Sequence, residues 1–162
     1  FFVPYSDYDA GCGKDEGNVI KVGIFEPASG QNAAGGKQEI LGIKYANSVK
    51  PTVTIDGTEY TVKLVEADNA SDDTKAITAA QTLIDAGCTV ILGSYGSSVS
   101  IAAGTYFANA QIPAIGCSCT NPQVTEGCDV YYRVCFTDPF QGPALAAYAY
   151  NTLGAKVAQT AQ

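Results

Sequence analysis

The sequence predicts a three-layer α/β domain, a mostly parallel sheet with helices on both faces, and three observations predict it. Strand-like and helix-like stretches alternate along the chain, the pattern of βαβ units with right-handed crossovers. The first strand, V-I-K-V-G-I-F over Val19 to Phe25, is a nearly continuous β-branched run, as expected of a strand buried on both faces. Two further apolar strands, Thr89–Leu92 and Pro113–Ile115, are each followed at once by small hydroxyl and glycine residues. In a parallel sheet the carboxyl ends of such strands form a rim where loop amides and helix N-termini converge on ligands. Function is therefore sought between Cys88 and Pro122.

Residues 1–18 are polar and aperiodic and are expected to form a flexible tail. After the first strand, Glu26 to Lys37 is a small-residue loop, and Ile40, Ile43 and Ala46–Asn47 keep helical spacing. Residues 51–65 predict a β-hairpin insertion: Val53 and Ile55 alternate before Asp56-Gly57, and Tyr60, Val62 and Leu64 alternate after it. The second arm is expected to continue as a sheet strand over Thr61 to Glu66.

Ser71 is the expected cap of the next helix, with Asp72 and Asp73 in its first turn, where the dipole favours acids. Ala76, Ala80, Leu83 and Ile84 form its buried stripe and Gly87 stops it. A third helix is predicted from about Ser97 to Ala110, with Ile101, Ala102, Tyr106 and Phe107 inward. Val130 to Phe136 predicts another strand. Pro143 fits the first turn of a helix running through Leu145, Tyr148 and Leu153 to Gly154. A last strand would begin at Ala155.

A chain of 162 residues suits one domain with a single core, and its 46% apolar content excludes wholesale disorder. No apolar run is long enough to span a bilayer. The net charge of -7 argues against nucleic acid, whose phosphates require clustered Lys and Arg. With no His anywhere, imidazole is unavailable as base, shuttle or metal ligand, and no catalytic residue is assigned.

The six cysteines, Cys12, Cys88, Cys117, Cys119, Cys128 and Cys135, mostly adjoin apolar strands and read as buried thiols. In an oxidising compartment Cys128 could pair with Cys135 or with Cys117, and the sequence does not choose. Asp9-Ala10-Gly11-Cys12 resembles a degenerate lipoprotein cleavage site, against the reading of an ordinary thiol in a linker.

Four chemistries compete for the rim. The first-strand loop S-G-Q-N-A-A-G-G fits neither nucleotide-phosphate pattern. A metal or redox module on Cys117 and Cys119 is a second reading, although structural zinc sites usually separate their cysteines by two residues. A Ser or Cys nucleophile would lack an activating base. The fourth reading is a small-molecule site without catalysis or cofactor. Tyr95-Gly96-Ser97-Ser98 and Cys117-Ser118-Cys119-Thr120-Asn121 place two hydroxyl-bearing loops at adjacent strand ends, one opening a helix. Their N–H and hydroxyl groups suit a carboxylate and their carbonyls an ammonium. The competing structural reading is a helix cap and a turn.

The ordered set V-I-K-V-G-I-F-E-P-A-S-G, V-E-A-D-N-A-S-D, L-G-S-Y-G-S-S-V-S, I-P-A-I-G-C-S-C-T-N-P-Q-V-T and Y-Y-R-V-C-F-T-D-P-F-Q-G resembles the leucine/isoleucine/valine-binding family of periplasmic solute receptors for ABC transporters. The likeness covers Val19 to about Gly154. It implies the N-terminal lobe of a type I two-lobed receptor that closes on an amino acid and hands it to a membrane permease. It also implies an extracytoplasmic location, periplasmic or lipid-anchored. By resemblance, Ser97 binds the ligand carboxylate through N–H and hydroxyl with Thr120 as partner. The Ser118 carbonyl takes the ammonium and Tyr95 lines the side-chain pocket; Ser98 and Cys119, on the same two loops, are the remaining candidate ligand-binding residues. Asp138 with Gln141-Gly142 resembles the approach to the hinge.

The chain departs from the family in three places. The first-loop aromatic of some members falls near Gly35, and the disulfide pair of better-known members falls on Ser71 and Gly96. Family members are also about twice as long, so residues 19–154 resemble the ligand-binding lobe and 155–162 the hinge approach or a truncated start of the second lobe. A lone lobe would expose its rim and a sheet edge, which predicts weak solute binding and homodimer formation.

Overall fold

The computed structural model describes residues 17–157. The β-branched run forms β1 (Val19–Glu26), followed by α1 (Ala33–Val49). The hairpin follows as β2 (Thr52–Ile55) and β3 (Thr58–Asp68), turned by Asp56 and Gly57 at positive φ of 48° and 79°. Then come α2 (Asp73–Asp85), β4 (Val90–Leu92), α3 (Ser97–Asn109), β5 (Ala114–Gly116), a 3-10 turn (Pro122–Val124), β6 (Tyr131–Arg133) and α4 (Asp138–Asn151). Among the described residues the six strands lie in the order β2-β3-β1-β4-β5-β6, and every pairing is parallel except β2 with β3.

This order fixes where a ligand can sit. From β1 the chain crosses over to β3 on one side, and from β3 it returns to β4 on the other side of β1. The direction of winding thus reverses between β1 and β4, and the loops leaving their carboxyl ends diverge to open a crevice. With right-handed crossovers the reversal also puts α1 on the face opposite α2 and α3.

The core lies between the sheet and α2 with α3. Phe25, Ala76, Ala80, Leu83, Ile91, Val99, Phe107 and Ala114 are fully buried there. Phe107 meets Phe25 edge to face, with ring centroids 5.5 Å apart and planes at 89°. On the other face α1 buries only Gly36 outright and leaves an apolar groove of about 460 Å³ lined by Val22, Ile43, Ala46, Val62, Leu64 and Leu92. Among the described residues no helix is long and apolar enough to cross a membrane.

Several expectations are corrected. Asp72, not Ser71, caps α2 by accepting from the Lys75 N–H at 2.9 Å, while Ser71 Oγ accepts from Asn32 N–H at 3.1 Å. Ser71 has φ of 56°, outside the extended range of an N-cap, whereas Asp72 is extended. On α3, Ile101 is 38% exposed, and the buried side chains are Val99, Ser100, Ala103, Gly104 and Phe107. Ile101 lies off the i, i+3, i+4 row formed by these residues, so the helix turns it outward.

The strand expected over 130–136 pairs only at Tyr131–Arg133. Helix α4 starts at Asp138, so Pro139 occupies the first turn and Pro143 lies inside the helix, where it forfeits one backbone bond. No strand forms over 155–157. Cys88, Cys117, Cys119, Cys128 and Cys135 are all free thiols, so neither proposed disulfide is present. The tail through residue 16, with Cys12, lies outside the described residues.

Candidate functional site

The crevice is held open by polar residues at the strand ends. Asn69, fully buried, donates from Nδ2 to Phe25 O at 3.3 Å and to Ser94 Oγ at 2.9 Å, tying β3 to the ends of β1 and β4. Asp68 accepts from the N–H groups of Ala28, Ser29 and Ala70 and from the Ser29 hydroxyl at 2.6 Å. Burial works to raise its carboxyl, but these donors outweigh it and hold the group below the usual carboxylate value.

On the β4 side, the loop Gly93–Gly96 delivers Tyr95 and then the first turn of α3. The Tyr95 N–H donates to Glu26 Oε2 at 2.7 Å. Its ring is 42% exposed and lies over Gly35, where an added Cβ would come within 2.5 Å of the ring. The ring over Gly35 therefore comes from the loop after β4. Gly96 is the N-cap of α3 and the helix has no side-chain cap. The first-turn N–H groups, with the dipole behind them, are left to a ligand or water.

The β5 loop lies alongside. Ser97 Oγ accepts from the Asn121 N–H at 3.3 Å, joining the two hydroxyl-bearing loops. Asn121 also caps the 3-10 turn by accepting from Gln123 N–H at 2.9 Å, so the turn reading holds for this residue. Arg133 clamps the loop from beneath, donating to the carbonyls of Cys119, Asn121 and Pro122 and to Thr125 Oγ1 at 2.8–3.1 Å. The Thr120 carbonyl accepts from Asp138 N–H at 3.0 Å, which links the loop to the start of α4. The Ser118 hydroxyl donates to Glu39 Oε1.

Tyr95, Ser97, Ser118 and Thr120 therefore sit on loops leaving adjacent strand ends. Ser98 is exposed on the same helix turn as Ser97. Cys119 is fully buried, and its sulfur packs under Gly116.

Sequence reasoning missed Glu26 and Glu39. Glu26 ends a run of buried residues and is itself 1% exposed. Burial first, then the neighbouring Glu39 carboxyl, push its carboxyl up to about 9, against the smaller opposing effects of the Tyr95 N–H and the nearby Cys117 thiol. An acid closing an apolar strand was the available signal. Burial, followed by the two glutamates, pushes the Cys117 thiol up to about 12, while burial leads in raising Cys119 and Cys88 to about 11. None of these thiols is a ready nucleophile.

Comparison with known proteins agrees with this geometry. A model of the periplasmic binding protein family matches residues 19–161. An amino acid binding protein of Pseudomonas aeruginosa is 34% identical over 140 residues, covering 85% of this chain and 37% of that protein. The leucine binding protein LivK of Thermotoga maritima superposes with a TM-score of 0.77 at 38% identity, covering 85% of this chain and 39% of that one. An ABC transporter solute binding protein of Rhodopseudomonas palustris, solved with 3,4-dihydroxy benzoic acid, superposes with a TM-score of 0.74 at 25% identity over 83% of this chain and 36% of that one. The chain spans little more than a third of the length of each. With a family model matched over residues 19–161 and a sheet that reverses at β1/β4, the chain belongs to the periplasmic binding protein family, and the relatives named here are binding proteins.

Proposed function

We propose that this protein is the extracytoplasmic solute-binding component of an ABC importer for amino acids or a related carboxylate-bearing solute. Its residues supply the N-terminal half of the clamp. The observation that carries the reading is the first turn of α3, which has no side-chain cap and opens at the β1/β4 crevice beside the second hydroxyl loop. Free N–H groups at a helix start favour an anion.

In this reading Ser97 and Ser98 hold the solute carboxylate, with Thr120 beside them. The Ser118 carbonyl faces an ammonium, the Cys119 backbone completes the loop, and the Tyr95 ring walls the pocket. The relatives are named for amino acids and leucine, or solved with a benzoic acid, and a carboxylate is common to all three.

The partner is a membrane permease, and Cys12 would carry a lipid anchor if the tail is processed there. Val134, Phe136, Phe140, Leu145 and Tyr148 are exposed around the last strand and α4, which supports self-association of the isolated lobe and weak solute binding.

Calorimetric titration with leucine, isoleucine and 4-hydroxybenzoate tests the reading. At least one should bind, and Ser97→Ala should weaken it about tenfold. A hydrogen bond to a charged group contributes about 1.5–3 kcal/mol, and about 1.4 kcal/mol is tenfold in affinity. Equal affinity in the variant, or no carboxylate bound at all, would refute it.

A further inference from the structure

Three side chains remote in sequence meet just under the rim: Glu26 at the end of β1, Glu39 in α1, and Cys117 immediately after β5. One carboxylate oxygen from each glutamate and the cysteine sulfur lie within 4.8 Å of one another. Glu26 is almost wholly buried, and Glu39 and Cys117 are half-buried, which leaves a side for entry.

The hydrogen bonds divide these carboxylates in the same way. Glu26 Oε2 is held by the Tyr95 N–H at 2.7 Å and Glu39 Oε1 by the Ser118 hydroxyl. The second oxygen of each, Glu26 Oε1 and Glu39 Oε2, is buried and has no hydrogen-bond partner. A buried acceptor without a donor costs about 1–3 kcal/mol, so two in one place call for an occupant. Each acid thus has one oxygen oriented by an outer donor and one without a donor, as metal ligands have when a second shell aligns them.

We propose that Glu26, Glu39 and Cys117 bind one divalent cation of the zinc type, with a fourth position left for water or solute. Two oxygens and a sulfur suit zinc, whose bonds of about 2.0–2.3 Å would draw the donor atoms to roughly 3.5 Å apart, a contraction of about 1 Å. A thiolate ligand disfavours magnesium and calcium, which take oxygen. The site is distinct from the Cys117 and Cys119 pairing considered from sequence, and it stands whether or not the rim binds an amino acid. Ser118 is a positioning residue through its bond to Glu39.

The test uses the whole chain in a Cys12→Ser background, stripped with chelator and titrated with cobalt as a coloured stand-in for zinc. The expected result is one cobalt per chain with a thiolate-to-cobalt charge-transfer band in the near ultraviolet, displaced by zinc. The band should vanish in Cys117→Ser and persist in Cys119→Ser. Glu26→Gln, Glu39→Gln and Ser118→Ala should each weaken binding by about tenfold or more. No band, or a band that survives Cys117→Ser, overturns the proposal.

Should a variant fail to fold, thiol alkylation of the unsubstituted chain decides. Saturating zinc should slow alkylation of Cys117, read by mass spectrometry of its peptide, and leave that of Cys135 unchanged. Equal rates at Cys117 with and without zinc overturn the proposal. Solute binding measured in chelator keeps failure of the metal site separate from failure of the receptor reading.

Discussion

Phe107→Ala is expected to lower the free energy of unfolding by about 3–5 kcal/mol. Phe107 is 0% exposed and stands edge to face with Phe25, and its ring centroid lies 6.4 Å from that of Tyr131. It is the side chain through which α3 grips both β1 and β6. Truncation removes this buried area and leaves a cavity between fixed strands, which cannot collapse to fill it. A domain stable by about 5–15 kcal/mol would lose a large part of its margin. Urea unfolding of the two proteins measures the difference, and a loss below about 1 kcal/mol would contradict the packing described.

The second large effect is on pH. In metal-free protein, stability should fall as pH rises from about 4.5 towards 9. The Glu26 carboxyl has an ordinary value of 4.5 and is pushed up to about 9 in the fold. The folded state therefore binds the proton more tightly than the unfolded chain does. That contribution is complete below the unfolded value and is lost as pH rises through the window to the folded one. The slope is bounded at about 1.4 kcal/mol per pH unit for one proton.

Every group facing Glu26 enters this balance. Glu39 from α1 adds like charge, the Tyr95 N–H and the nearby Cys117 thiol favour the anion, and Tyr131, itself raised mainly by burial, stays neutral. Asp68 acts in the opposite sense, because its lowered value gives stability that is lost only as pH falls into the acid range. The two effects occupy different windows. Glu26→Gln should flatten the curve between 4.5 and 9, and a variant curve parallel to the parent would refute the assignment.

Much of the fold was legible because local and tertiary preferences agree. The β-branched run of β1, the Asp56-Gly57 turn and the alanine spacing of α2 each specify an element whatever surrounds them. Where residues face was harder to read. Ile101 looks inward by hydropathy, but the row through Val99, Ala103 and Phe107 takes the core side.

The choice between Ser71 and Asp72 as cap turned on a backbone conformation that composition does not encode. Pro143 has the sequence mark of a helix start, but the Thr137 carbonyl already accepts from Phe140 and Gln141 and begins α4 earlier.

At the site, the two hydroxyl loops were visible as sequence because each follows an apolar strand directly. Their joining through Ser97 and Asn121 was not, since it depends on β4 and β5 being neighbours. Glu26 and Glu39 escaped for a similar reason. A glutamate in a strand–loop and one on a helix are unremarkable until the crossover brings α1 over the end of β1.

The most direct test of the central claim is a map of backbone amide shifts by nuclear magnetic resonance on adding the carboxylate solute that binds best. The prediction is that the perturbed amides centre on 95–98 and 117–121, with Ser97 foremost. Perturbation centred instead on the α2 side, around Ala67, Lys75 and Thr78 where a separate shallow cavity lies, would place the solute elsewhere and contradict it.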